Sequence, residues 1–426
     1  MNLAKNILVT LLSLVLLGIV IAYYKPALLK SREFLLGFAT FFGLWLIVSL
    51  ILRLIKPKNK RTEKSTAAYP ILLFISFLLL FIANKSFLKE KRNIAQQELL
   101  VALTNNQLLV QQNAELTKHH TELITRITKE AIASPDRVLS EGSISQIANL
   151  SKNYEPYFLE PTDSIPQLES PERGFLLKSI IGLRLDATTQ RKINQSADFS
   201  YAKLDKEDLS GLDLSYINLE GAQLKEANLS TCNLAHAKLQ NSYLWGSELS
   251  NTALDSANFN RANLAWSNLD SCTLVAANFG SADLSNTKLR DADLSNANFT
   301  SANLNTAFLN NSSLSKSNFF GADLSGVTLA NCNLYSTNFR HTNLNDTKAT
   351  KAKFTKTFLQ RATINRMDLT AASIDSITVV GKNWLSQLNE LSVKGTEDLE
   401  LNFILTPHKT VEDYFIVHKI TGSNKN

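Results

Sequence analysis

Cysteine is nearly missing from this chain: three in 426 residues, too few for a disulfide framework. Glycine (15) and proline (9) are sparse as well, which excludes collagen-like and proline-rich classes. No His-Glu-x-x-His, nucleophile elbow or phosphate-binding loop occurs, and the six histidines are scattered. The glycine-rich calcium-binding repeat is absent too. The sequence therefore offers no catalytic residues, no metal ligands and no cofactor signature. With 44% hydrophobic and 19% charged residues it reads as globular, and its length suits two or three domains.

The net charge of +6 is unevenly placed. Residues 1–92 hold 14 Lys/Arg against 3 Asp/Glu, and the remainder holds 30 against 35. The basic character thus belongs to the N-terminal fifth. An overall cationic face for nucleic acid is excluded, and no nucleic-acid partner is expected.

That N-terminal fifth contains three uncharged apolar runs, 7–24, 34–52 and 67–84. About 20 mostly apolar residues cross a bilayer as a helix. The runs predict three spans, with the third the shortest in apolar content because of Pro70, so that two spans is the fallback. Residues 21–23 make a poor cleavage site, which argues for an uncleaved anchor over a signal peptide. The expected address is an integral membrane one, with the lipid bilayer as a partner. The loop 53–64 carries six positive side chains and reads as cytoplasmic. The opposite loops carry as many, so the side facing the rest of the chain stays open.

Residues 85–132 predict a long helix. Leu109, Leu116 and Leu123 are seven apart, and Ile127 extends the stripe. Asn106, Asn113 and His120 fill the alternate seam, which makes a poor coiled coil and favours a stalk packed on something else. A loop rich in Pro, Ser and Glu follows. Ser170-Pro171-Glu172 then reads as a helix start, and Ser134-Pro135-Asp136 has the same signature.

From Ala197 a period of five takes over. Every fifth residue from Phe199 to Val379 is large and apolar, 26 of 37 being Leu and seven Phe; Ala349 leaves a gap. Two residues earlier stands a small residue in 31 of 37 cases, and Glu207, Leu212 and Ile217 depart from this. A helix would smear a period of five around its circumference, and a strand would send it to alternate faces. Only a chain that turns a corner every five residues keeps one interior. Four corners close a square coil of 20 residues. Phe259, Phe279, Phe299, Phe319 and Phe339 are 20 apart and predict an aromatic ladder on one inner side. Thirty-seven units give a rod of about 44 Å at a coil spacing of about 4.8 Å.

Ala282-Asp283-Leu284-Ser285-Asn286 and Ala322-Asp323-Leu324-Ser325-Gly326 resemble, unit for unit, the pentapeptide-repeat family. Ser170-Pro171-Glu172-Arg173-Gly174 with Asp198-Phe199-Ser200-Tyr201 is similar to the approach to the repeat in membrane-anchored bacterial members. The resemblance implies a β-solenoid, a right-handed quadrilateral β-helix, over residues 197–381. It would be preceded by a transmembrane segment (1–84) and a helical stalk and lead-in (85–196), and closed by a C-terminal cap (382–426). It further implies a bacterial inner-membrane protein that is not an enzyme but a binding or scaffold module presenting a rigid surface to a protein partner. In the family, C-terminal elements often mediate dimers, so a homodimer through 382–426 stays open beside the cap. Some members are acidic rods that mimic DNA and shield topoisomerases. Residues 197–382 hold 16 Lys/Arg and 17 Asp/Glu, far too neutral for that role. The alternative function is a membrane-associated sensor relaying through the stalk.

Cys232, Cys272 and Cys332 fall in the small inward column and read as core packers; they lie two and three coils apart, too far for one zinc site. Asn383-Trp384-Leu385-Ser386-Gln387-Leu388 predicts a capped helix beyond the repeat, and 403–405 and 414–417 are apolar patches for a cap. One charge cluster stands out: Lys348, Lys351, Lys353, Lys356, Arg361 and Arg366, with no acid between 347 and 366. It is the candidate docking patch for an anionic partner.

Overall fold

A computed structural model describes residues 68–158, 168–396 and 403–419. The expected spans 7–24 and 34–52 and the loop 53–64 lie outside the described residues. The third span, 67–84, falls on the start of helix α1 (Ala68–Ala133), where only backbone is described. Among the described residues no helix is long and apolar enough to cross a membrane. Gln97–Asn426 form one compact unit and Met1–Gln96 another.

Within the larger unit, the polar seam of α1 has a use that the coiled-coil comparison does not suggest. Asn106 donates to the carbonyl of Phe158 and accepts from its N–H, both at 2.7 Å. One heptad on, Asn113 does the same with Glu155, at 2.8 and 3.2 Å. Next comes His120, whose Nδ1 lies 3.2 Å from the Tyr154 hydroxyl. A carboxamide carries the donor and acceptor of a peptide unit, so the helix holds residues 154–158 much as a neighbouring strand would.

Ser134-Pro135-Asp136 is not a helix start. It forms a turn after α1, with the Arg137 N–H donating to the Ser134 carbonyl at 3.1 Å, because proline suits the second position of a turn equally well. The helix begins later, as α2 (Glu141–Asn153), with the Ser140 side chain accepting from the Ser143 N–H. Strands β1 (Tyr157–Phe158) and β2 (Leu168–Glu169) pair antiparallel. Then α3 (Pro171–Ile181) starts at Ser170 as expected, and α4 (Ala187–Ser196) is capped by Asp186, which accepts from the Thr188 and Thr189 N–H groups.

The repeat is a four-sided solenoid. Isolated parallel bridges join residue i to i+20, from Lys203↔Gln223 to Phe358↔Thr378, so four units make one coil. We number the sides by their first centre residues: Phe199 on side one, then Leu204, Leu209 and Leu214. The centre and small columns point inward, and the centres are buried throughout. The phenylalanine ladder forms on side one, with ring centroids 5.0, 4.9, 4.5 and 5.2 Å apart from Phe259 to Phe339 and nearly parallel planes. Most corners are turns in which the N–H three residues after a centre donates to the centre's carbonyl, as Ala262 does to Phe259 at 2.9 Å. The second residue after each centre has φ near +60°, which marks a type II turn. Glycine takes this place at Gly211, Gly221, Gly246, Gly321, Gly326 and Gly381, and ordinary residues take it elsewhere. At the Ala349 gap the register sets Met367, large for its column, one coil further on the same side. A cavity of about 10 Å³ lies in the last coil, lined by Phe354, Leu359, Met367 and Trp384 among others.

Both ends of the rod are closed. At the first coil, the Ser151 hydroxyl accepts from the Asp198 N–H on side one, and Arg173 donates to the Ser200 carbonyl there. Ser170 pairs with side two by backbone, and Asn194 donates to the carbonyls of Asp213 and Ser215 on side four. Glu207 departs from the small column because it bonds Lys178 of α3 at 2.7 Å instead of packing on a coil below. Near the end of the rod, β3 (Lys353–Thr355) and β4 (Ser373–Asp375) lengthen what is elsewhere a single bridge into a parallel pair. The last unit forms β5 (Ile377–Val380), followed by α5 (Trp384–Glu390). The expected Asn383 cap sits at the helix start but makes no side-chain cap bond. Strands β6 (Phe403–Pro407) and β7 (Tyr414–Lys419) complete a sheet of order β5-β7-β6. Leu391 and Lys394 pair with Arg366 and Leu369 on the far side of the same end. The apolar patches are thus used within the chain: Val417 is buried, and Phe403, Leu405 and Phe415 pack against the core.

Candidate functional site

No metal-binding group of His, Cys, Asp or Glu occurs among the described residues. The three cysteines do lie in the inward column of side four. Their thiols donate to the carbonyls of Leu209, Leu249 and Leu309 at 2.9, 3.0 and 2.9 Å. Burial pushes Cys232 up to about 11, and Cys272 and Cys332 up to about 12. They fill space, as their column implies. His236 and His341 occupy corners, stacked on Tyr216 at 4.8 Å and beside Phe320 at 5.1 Å.

What the rod offers is its outer surface, organised by the same register as its core. The residue before each centre aligns every 20 along a side. On side one this column reads Asn258, Asn278, Asn298, Asn318 and Asn338. Asn278 donates to Asn258 at 3.0 Å, Asn298 to Asn278 at 2.9 Å and Asn338 to Asn318 at 2.7 Å. Their side-chain oxygens also accept from the N–H two residues on, which fixes each rung. Such a surface is set before anything binds it.

The candidate basic cluster is placed by this register in an unexpected way. Five residues is a quarter turn, so Lys351, Lys356, Arg361 and Arg366 sit at four successive corners and encircle the rod. Lys348 lies on side three and Lys353 on side four. All six are exposed. They form a collar, not one face. Arg366 is bound by Asp346 through two contacts of 2.6 Å, and Lys356 lies over Tyr335, 3.1 Å from its hydroxyl. Only Lys348, Lys351, Lys353 and Lys356 run together, around the edge from side three across side four.

Aromatic side chains on the outside escape a reading based on inward columns. On side two, Tyr243 and Trp245 are half-buried, and Trp266 stands at the adjoining corner one coil on, 62% exposed. Lys225 lies over the Trp245 ring at 5.2 Å. Ala265, which lies in register with Trp245 and precedes Trp266, is buried. The signal was available in the sequence: positions 243, 245 and 266 share a side once numbers are taken modulo 20.

Residues 262–339 match the profile of a pentapeptide repeat region, and 195–230 and 232–270 match that of pentapeptide repeats in eight copies. Among solved structures, the chain is similar to HetL, a pentapeptide repeat protein involved in heterocyst differentiation regulation from the cyanobacterium Nostoc sp. strain PCC 7120. Identity is 22% over 42% of this chain and 86% of that one, with a TM-score of 0.23. It is also similar to QnrB1, a plasmid-mediated fluoroquinolone resistance protein, at 15% identity over 45% and 95% of the two chains, TM-score 0.32. Rfr23, a pentapeptide repeat protein from the cyanobacterium Cyanothece 51142, is 32% identical over 22% of this chain and 58% of that one, TM-score 0.11. No curated protein matches the chain.

Proposed function

We propose, for a chain whose rod belongs to the pentapeptide-repeat family, a membrane-anchored and non-enzymatic scaffold that presents a rigid side of the solenoid to a protein partner. The uncharged runs at 7–24, 34–52 and 67–84 support the anchor, and the basic excess around them supports insertion in a bacterial inner membrane. The observation that carries the binding role is the Tyr243, Trp245 and Trp266 cluster. Large aromatics held on a backbone that cannot rearrange bury area at little cost in ordering, and such residues dominate the energetics of interfaces. DNA mimicry is a poor fit, since the rod is close to neutral.

A photo-crosslinking residue in place of Ser285, one coil above Ala265 on side two, tests this in cells expressing the full chain. A discrete adduct is expected, and Trp266→Ala with Trp245→Ala should abolish it while the rod melts as before. An adduct of twice the chain mass would instead assign the face to a second copy. No adduct, or one indifferent to both substitutions, would sink the reading.

One observation favours relay through the stalk as a second reading. Buried Arg173 donates to the carbonyl of Ser151 at 2.9 Å and to the carbonyl and hydroxyl of Ser200 at 2.9 and 2.6 Å, and pairs with Asp198 at 3.2 Å. One side chain thereby joins α2, α3 and the first coil.

A further inference from the structure

We propose that Arg340, His341 and Arg361, with Gln360 as their positioning residue, form a binding site for a phosphate group on side one of the rod. Arg340 and His341 are consecutive, and Gln360 and Arg361 stand against them one coil on, joined by the His341 N–H to the Gln360 carbonyl at 3.1 Å. The four make a square with edges of about 3.8 Å along the chain and about 4.8 Å along the rod.

The arginine at one corner of this square is held in place before any ligand arrives. Its guanidinium lies 4.7 Å from the centre of the Phe358 ring, and its Nε donates to Oε1 of Gln360 at 3.0 Å. Gln360 is itself buried, so it cannot swing away. Stacking on Phe358 and a bond at Nε leave the two terminal nitrogens as a free fork, the geometry that takes two oxygens of a phosphate at once. His341 is steadied by the Phe320 ring.

The charge around the square is uncompensated. None of the seven lysines and arginines between residues 316 and 361 has a carboxylate within ion-pair distance among the described residues, whereas Lys203, Lys206 and Lys225 near the start of the rod are all paired. The two acids in the same stretch are occupied. Asp323 accepts from Asn343 at 2.8 Å, and Asp346 holds Arg366. In register, the square is bordered by Phe320, Gly321, Val380 and Gly381, none of them acidic. A pinned arginine fork with a second arginine at the adjoining corner, neither ion-paired among the described residues and with Asp413 no nearer than the strand beyond Gly381, suits a compact, doubly charged anion better than the single charge of one carboxylate.

The ligand can be a soluble phosphate compound or the phosphomonoester headgroup of a lipid. Calorimetric titration of the purified full chain with inorganic phosphate, and co-flotation with phosphatidylcholine vesicles containing phosphatidic acid, separate the two. Binding of free phosphate assigns the soluble source; binding of the vesicles alone assigns the lipid. In either case Arg340→Lys, which keeps the charge and loses the fork, should weaken binding at least about tenfold. Arg361→Gln, at an exposed corner, guards against loss through misfolding and should weaken it similarly. Lys348→Gln with Lys353→Gln, on the other sides, should leave it within about twofold. Failure of wild type to bind either probe would overturn the site. Equal losses in both sets of variants would also overturn it, since a diffuse field and not a built site would then be acting. So would a polyglutamate peptide binding more tightly than phosphate.

Discussion

A left-handed backbone at every corner is the most demanding requirement that this fold places on single residues. Outside glycine, and to a lesser degree Asn and Asp, φ near +60° costs about 1 kcal/mol because Cβ crowds the following carbonyl. Ala276 meets that cost with φ +59° and no side-chain bond to offset it. Ala276→Gly should therefore raise stability, by up to about 1 kcal/mol, against the entropy that glycine adds to the unfolded chain. Ser256→Val at the corner one coil earlier should lower it by a similar amount or more. Thermal melting of both variants beside wild type checks the pair of signs.

The buried thiols give a second residue-scale prediction. With folded values raised to about 11 and 12, Cys232, Cys272 and Cys332 stay protonated when an exposed thiol, near 8.5, has begun to ionise. Iodoacetamide at pH 8 should leave all three unlabelled in the native chain and label all three in denaturant, read by mass spectrometry. The folded state holds these protons more tightly than the unfolded one. Their contribution is thus intact below about pH 8.5 and is lost as pH climbs through 11 to 12.

At the scale of elements, the contact between α1 and residues 154–158 is where pH should act in the opposite direction. Burial lowers the His120 pKa from 6.5, and its Nε2 has no hydrogen-bond partner. A depressed histidine contributes stability above its unfolded value, and that contribution is lost as pH falls through the folded one. Hydrogen exchange of 141–158 should therefore quicken on going from pH 7 to pH 5, while the coils 259–339 stay protected. His120→Phe should remove the pH dependence; exchange that still quickens in that variant would mean another group is responsible.

The same region shows why some of the structure was legible in the sequence and some was not. The phenylalanine ladder was legible because 20 is a multiple of five and the pattern never slips. Asn106 and Asn113 were visible as a heptad row, but their meaning was not. A polar seam says only that the helix does not face an apolar copy of itself, and the backbone that it holds lies 42 and 52 residues away. Ser134-Pro135-Asp136 misleads because proline at the second position satisfies a turn and a first helical turn alike. The basic cluster looked like a patch because nearness along the chain usually means nearness in space. In a square coil a spacing of five carries a side chain to the next corner, so Lys351 to Arg366 encircle the rod. The left-handed corners left only a weak signal: six of the seven glycines between 197 and 381 fall there, but Lys, Arg, His, Trp and Ala occupy the same column.

For the whole molecule, a solenoid couples each coil only to its neighbours, and stability is close to a sum of coil and interface terms. The ends are different: Arg173, Ser170 and Asn194 close one, and β7 and Lys394 close the other. This separation predicts how the rod answers to changes of length. Removal of 261–280 takes out one complete coil, keeps every centre on its own side and leaves Phe259 to stack on Phe299. Both caps still meet the coils they met before. A single cooperative transition of reduced enthalpy is expected, with the rod's circular dichroism otherwise retained. Removal of only 271–273 is the smaller change by mass and should be far more damaging. It brings the residues before Leu274 out of phase, so that beyond the deletion the centre column no longer continues the inward column of the coils below. With the bridges spaced 20 apart, the three-residue gap must either be spanned by residues drawn out of the coil where Ser271 formed a corner, or be propagated to the cap, exposing leucines on every later coil. Either way the loss should exceed the cost of a buried leucine, about 2–5 kcal/mol. Melting and limited proteolysis of the two deletions give the comparison, and a twenty-residue deletion that fared worse than the three-residue one would contradict the nearest-neighbour account.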